Sequence, residues 1–273
     1  MLSLLSTDLV FRYVALACVV FASGSWLVSL ITGNYSQVDR LWSILPPIYA
    51  IGFAAATRFS DLRLDAIAVL VALWGARLTY NFARKGGYTA GHEDYRWPVL
   101  RARFGPWKFQ IFNATFIAPF QNLLLMLITL PAWAALRAGT RFGVLDVAAT
   151  ILFLLLLVGE TVADQQQWRF HEDKHARLAR GEAIAEPFLT RGLFRYSRHP
   201  NFFCEIAMWW CIYAFSVAAG AGVFNMTLVG PILLTLLFQG STTMTERLSL
   251  EKYPSYAAYQ RTTSRLVPLP PTS

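Results

Sequence analysis

Charge is scarce in this chain: 15% of its 273 residues are Asp, Glu, Lys or Arg, against about 25% in an average soluble domain. The 24 basic and 16 acidic side chains cannot cover a water-facing surface of that size, so much of the exterior must meet lipid. With 55% hydrophobic residues, disorder is excluded as well. Cysteine is almost missing. Cys18, Cys204 and Cys211 all lie in apolar stretches with no C-x-x-C, which excludes a disulfide framework and a zinc-thiolate site. No G-x-G-x-x-G follows a strand pattern and no Walker sequence occurs, which excludes a Rossmann domain and a P-loop. Internal repeats and low-complexity tracts are missing too, apart from the closing Pro-Leu-Pro-Pro. The net charge of +8 first reports orientation and anionic headgroups in such a chain, not nucleic acid.

What is present is a series of apolar runs near the roughly 20 residues that cross a bilayer, at about 8–31, 41–58, 64–82, 111–136, 143–163, 202–220 and 222–240. The expected fold is an all-α integral membrane protein with seven transmembrane helices in one membrane domain, 1–273. The second run contains Pro46 and Pro47, which predicts a kink or a cavity. No basic residue precedes Arg12 and no small-residue cleavage site follows, so the first run reads as a retained span. Of the 24 Lys and Arg, 18 fall in the connections after runs one, three and five and in the C-terminal tail. The positive-inside rule then places the N-terminus outside and the C-terminus in the cytosol.

Acids inside such spans are costly and face polar interiors. Glu160 and Asp164 are one helical turn apart, and Asn201, Glu205 and Trp209 recur every four residues, so each set shares a helix face. The two faces are expected to converge on a polar chamber at the cytosolic end. Nearby stand Arg169, Lys174, Arg177, Arg191, Arg195, Arg198, Arg247 and Arg261, cations suited to phosphate oxygens. The plainer alternative is that the acids anchor helix ends and the cations merely follow the positive-inside rule. His171-Glu-Asp-Lys-His175 fits H-E-x-x-H, the helical zinc motif. It sits in a charged stretch outside the apolar runs, and no metal is expected there.

The segment Gly192-Leu-Phe-Arg-Tyr-Ser-Arg-His-Pro-Asn-Phe-Phe-Cys-Glu205, with Trp209, Glu246-Arg247 and Lys252-Tyr253-Pro254-x-Tyr256-x-x-Tyr259, resembles the C-terminal half of the membrane steroid 5α-reductase family. The closer resemblance is to a bacterial branch long filed as a domain of unknown function, on Gln37-Val-Asp39-Arg40-x-Trp42 and on Arg77-Leu-Thr-x-Asn81 followed by Glu93-Asp94-Tyr95-Arg96. Sterol reductases and isoprenylcysteine carboxyl methyltransferases have a similar Arg-His-Pro block. The resemblance implies NADPH as cofactor, with Asp164, Asn201, Glu205, Trp209 and Tyr253 matching cofactor-contacting positions. Arg198, His199 and Arg247 match the bacterial branch and are expected at phosphate or ribose, with Arg169, Lys174 and Arg195 as further phosphate ligands. It also implies a substrate side in residues 1–136 and a cofactor side in 137–273. The implied reaction reduces the 4,5 double bond of a 3-oxo-4-ene steroid or similar enone arriving from the bilayer. Gln37, Asp39 and Tyr80 stand for the catalytic Gln-Glu pair and Tyr, which this chain does not reproduce; Asp39 or Tyr80 would polarise the carbonyl. For Asp39 the competing expectation is a helix-end pair with Arg40. The implied location is a bacterial inner membrane with the cofactor site facing the cytosol. The alternative function is an S-adenosylmethionine-dependent membrane methyltransferase, and a third is a lipid- or sterol-binding protein without catalysis.

Overall fold

The computed structural model describes residues 2–184 and 186–272, with side chains from residue 8 onward. Met1, Ala185 and Ser273 of the expected 1–273 domain lie outside the described residues. Every regular element among those described is helical. The elements are α1 (Leu2–Thr32), α2 (Gln37–Leu41), α3 (Leu45–Ala55), α4 (Leu62–Arg84), α5 (Arg96–Phe104) and α6 (Pro106–Phe112). A π-helical stretch, Asn113–Phe120, leads into α7 (Gln121–Leu127) and α8 (Leu130–Arg137). Then come α9 (Val144–Ala179), α10 (Pro200–Ala218), α11 (Val229–Lys252) and α12 (Tyr256–Thr262), with short 3₁₀ turns at Gly192–Arg195 and Met226–Leu228.

Among the described residues, six helical stretches are long and apolar enough to cross a membrane: Asp8–Thr32, Leu62–Arg84, Pro106–Arg137, Val144–Ala179, Pro200–Ala218 and Met226–Lys252. The chain is a membrane protein with several apolar helices. The run expected as a seventh full helix, 41–58, forms only the 11 residues of α3, about 16 Å at 1.5 Å per residue. Its prolines do not kink a helix; they open one. Pro46 and Pro47 fall in the first turn of α3, where no backbone N–H is needed. Pro119 has a different effect. Inside the long Pro106–Arg137 stretch it cannot donate to the α ladder, and the surrounding eight residues adopt the wider π register.

The helices distribute over two compact units, one made of residues up to Thr150 with Cys211–Leu233, the other of Ile151–Trp210 with the residues from Leu234 onward. In the first unit α4 starts at an Asp61 cap whose side chain accepts from Arg63 N and Leu64 N at 2.9 and 3.1 Å. It approaches α3 closely at Gly75, where a Cβ would meet Pro47 Cγ at 2.5 Å and, just before α3, Ser43 O at 2.6 Å. Arg63 is buried and fully engaged. Its guanidinium holds both Asp146 oxygens at 2.6 and 2.9 Å and the carbonyls of Thr140 and Arg141 at 3.0 and 2.9 Å. In the second unit Ala163 of α9 packs with Leu189 and Phe194 of the following loop. Gly159 sits within 3.2 Å of Cys204 Sγ when given a Cβ, so its missing side chain lets α10 close onto α9.

Candidate functional site

Because Gly159 permits that close approach, the polar faces of α9 and α10 meet a turn further along. Asn201 Nδ2 donates to Asp164 Oδ1 at 3.4 Å, and Trp209 Nε1 donates to Glu205 Oε1 at 3.1 Å. Asp164, Glu205 and Trp209 are buried, as is Glu160. These groups thus form a carboxylate and amide cluster in the helical interior of the second unit, with the four-residue periodicity of α10 placing three of them in line.

Along α9 the same face continues through Gln167, His171 and Lys174 to a cavity of about 690 Å³. Phe170, Pro187 and Phe188 give it an apolar floor, while Lys174, Lys252 and Tyr253 supply its polar edge. Lys174 is positioned by two contacts: Nζ donates to Pro187 O at 2.6 Å and to Tyr253 OH at 3.0 Å. Its ammonium also lies 4.9 Å from the Tyr253 ring centre. The hydrogen bond from Lys174 holds the Tyr253 phenol below its ordinary range, although burial acts in the other direction. His171 and His175, the two histidines of the H-E-x-x-H sequence, have ring centres 6.2 Å apart on this rim.

The 192–199 segment is fastened from two sides. Gly192 has φ +62°, and a Cβ there would meet the Gln166 amide oxygen at 2.5 Å; the next residue's N–H donates to that oxygen at 3.0 Å. The Arg198 and His199 expected at phosphate or ribose hold Glu246 instead. The Arg198 guanidinium grips it with both prongs at 2.7 and 3.1 Å, and His199 Nε2 lies 3.0 Å from its Oε1. Gln260 Nε2 adds a fourth contact at 2.8 Å. Arg198 also donates to Gln260 O at 3.1 Å and to Thr263 O, and Ser197 Oγ donates to Leu266 O at 2.7 Å. The Ser-Arg-His run therefore ties the start of α10 to the end of α11 and to the C-terminal segment. Neither Glu246 nor Gln260 is marked as a partner by the sequence pattern; the one available signal is an arginine at the mouth of an apolar run, which needs a carboxylate opposite it. Arg169 and Arg195 are exposed, and Arg247 pairs with Glu251 at 3.0 Å along an exposed face of α11.

The residues expected to act on substrate belong to the first unit. Asp39 does not pair with Arg40. Trp97 Nε1 donates to its Oδ2 at 2.8 Å and Arg96 stands 3.8 Å from Oδ1, leaving the side chain 9% exposed. Burial raises its carboxyl above the usual carboxylate range, against the opposing pull of Arg96. Arg40 turns to Gln37 Oε1 and His92 O, both at 3.0 Å, while Gln37 Nε2 donates to Asn34 O at 3.1 Å. Tyr80 is 66% exposed and has the Arg84 guanidinium 5.5 Å over its ring. Asp39 and Gln37 are thus held together in one turn, and Tyr80 stands apart on an outer face of α4.

Residues 25–263 match the family described as "Protein of unknown function (DUF1295)". The chain is 41% identical over 262 aligned residues to an uncharacterised protein of the fission yeast Schizosaccharomyces pombe, covering 89% of this chain and 75% of that one. The chain belongs to the DUF1295 family. No solved structure matches it.

Proposed function

We propose that this protein is an NADPH-dependent reductase of hydrophobic enones, of the steroid 5α-reductase kind. The observation that carries the reading is the α9–α10 cluster of Asp164, Asn201, Glu205 and Trp209 lying on the same α9 face as the Lys174–Tyr253 cavity. From Asp164 to Lys174 the helix advances about 15 Å, the length scale of an extended dinucleotide. The donor set suits that cofactor. Carboxylates and an amide can hold ribose hydroxyls and a carboxamide, the aromatic floor can hold a base, and Lys174 with Lys252 can face phosphates. When bound, NADPH supplies the hydride for the substrate's β-carbon.

The chain's own contribution is binding, orientation and the proton. Asp164, Asn201, Glu205 and Trp209 orient the reducing end, and Tyr253 is kept in place by Lys174. Arg198 and His199 serve as positioning residues through Glu246. Asp39, with its raised carboxyl, is favoured over the exposed Tyr80 as the group that donates a hydrogen bond to the carbonyl and stabilises the enolate. A long apolar exterior favours a substrate taken from the bilayer. The charge asymmetry supports an N-terminus outside and a cofactor site facing the cytosol, with 41–58 as a short seventh crossing built on α3, and the bacterial inner membrane is what the family resemblance implies.

Thermal shift of the detergent-purified protein with NADPH, NADH and S-adenosylmethionine tests the reading, since a ligand that binds the native state raises the melting temperature. NADPH should stabilise, and Glu205→Gln should remove the shift. Stabilisation by S-adenosylmethionine alone would replace the reductase with a methyltransferase.

A further inference from the structure

A row of polar side chains runs through the interior of the first unit along one face of α1, where an apolar seam would be expected. Cys18, Ser25 and Ser29 are spaced by seven and four residues and are buried, so they share a face. Asn113 Nδ2 of the π-helical stretch donates to Ser29 Oγ at 2.9 Å, and Asn122 Nδ2 of α7 donates to Ser25 Oγ at 3.4 Å. Beyond the end of α1, Gln110 Nε2 donates to Tyr35 OH at 2.6 Å. These contacts use only half of each amide. Gln110 Oε1, Asn113 Oδ1, Asn122 Oδ1, Gln121 Nε2 and Tyr49 OH are buried with no hydrogen-bond partner among the described residues. Asn113 and Asn122 are 0% exposed.

Each such orphan costs about 1–3 kcal/mol, and five together would rival a typical domain's whole stability of about 5–15 kcal/mol. They must be satisfied by something that is not protein. Ser25 and Ser29 are about 6 Å apart along the helix axis, and Cys18 and Ser29 about 16 Å. A single lipid hydroxyl or headgroup reaches one or two of the orphans. The set also mixes acceptors with a donor and a hydroxyl, so one ligand chemistry must both give and take protons. Ordered water does both and makes 2 to 4 hydrogen bonds per molecule, or about 3 on average.

We infer that the seam between α1, the π-helical stretch and α7 holds a file of bound water that opens beside Tyr35 and Gln110 and extends inward past Ser29 and Ser25. The π register contributes by carrying Asn113 and Asn122 onto the α1 side, where a regular α-helix of nine further residues would turn one of them by 180° relative to the other. The file is a path for water and protons into the membrane-embedded interior. Under the reductase reading it is also the route that replaces the proton given to substrate.

The hydration itself is read without any reaction. In a background with Cys18, Cys204 and Cys211 replaced by alanine, Ser25→Cys and Ser29→Cys are small exchanges that keep the packing. Both should react with a small water-borne cationic methanethiosulfonate at least about tenfold faster than Ala54→Cys, a control in the dry core of α3, because the reacting thiolate needs water. Adding Asn122→Leu should slow labelling at residue 25 and leave residue 29 unchanged, with gel filtration reporting the fold. Labelling at 25 and 29 as slow as at 54 overturns the file. Labelling with no NADPH shift keeps the file and removes the reductase; an NADPH shift with no labelling does the reverse.

Discussion

Glu246 shows how a single side chain can decide what its neighbours are able to do. From the sequence, Arg198 and His199 read as contacts for phosphate or ribose, because residue identity does not reveal who is opposite. The buried carboxylate that occupies them lies 47 residues beyond His199. Replacing it by glutamine leaves Arg198 buried without its counter-charge, a change that costs about 3–5 kcal/mol in comparable buried pairs. Glu246→Gln should lower the melting temperature in detergent and, if these residues only position the site, weaken NADPH binding in proportion to the lost fold. Asp39 makes a second prediction at this scale. Its carboxyl is raised by burial, so the protonated donor is present at low pH and is lost as pH rises through that raised value. The rate of enone reduction should therefore fall on the alkaline side, and Asp39→Asn, which always donates, should flatten that limb of the pH profile. The four-residue spacing of Asn201, Glu205 and Trp209 was legible because helix periodicity alone fixes it.

At the level of elements, the apolar runs were readable because crossing a bilayer demands length and hydropathy together, and six helical stretches among the described residues meet that demand. The run at 41–58 misled on length. Proline in the first turn is as compatible with a helix start as with a kink, and hydropathy does not separate the two. The π-helical stretch was not legible either, since one proline in an apolar run fits several registers. Close approach of α9 and α10 depends on Gly159, where a side chain would press on Cys204 Sγ. Gly159→Val should separate the pair at Asp164 and Asn201 and abolish the NADPH shift, while Gly159→Ala, which needs a few tenths of an ångström of relaxation, should retain part of it. Parallel titrations of the two variants read the difference.

For the molecule as a whole, the sequence speaks through asymmetry: 18 of 24 basic residues gather in alternate connections. Composition reveals the membrane because water must be met by charge, and it is silent on substrate because a lipid-facing wall carries no specific donors. The proposed orientation has a direct check. In sealed inside-out inner-membrane vesicles, added NADPH should support enone reduction without detergent, and in right-side-out vesicles it should not until they are permeabilised; the opposite pattern would invert the topology.

The Ser-Arg-His fastening also sets an order of construction. Ser197 and Arg198 hold the carbonyls of Leu266 and Thr263 and the amide of Gln260 reaches Glu246, while Leu269 N–H donates to Tyr196 O at 2.9 Å. During synthesis α9 and α10 leave the ribosome and enter the bilayer before any of these partners exists. The loop that borders the cavity is clasped only when residues 260–269 arrive, so a chain stopped short of them has its membrane helices but lacks the clasp that fixes the cavity's border.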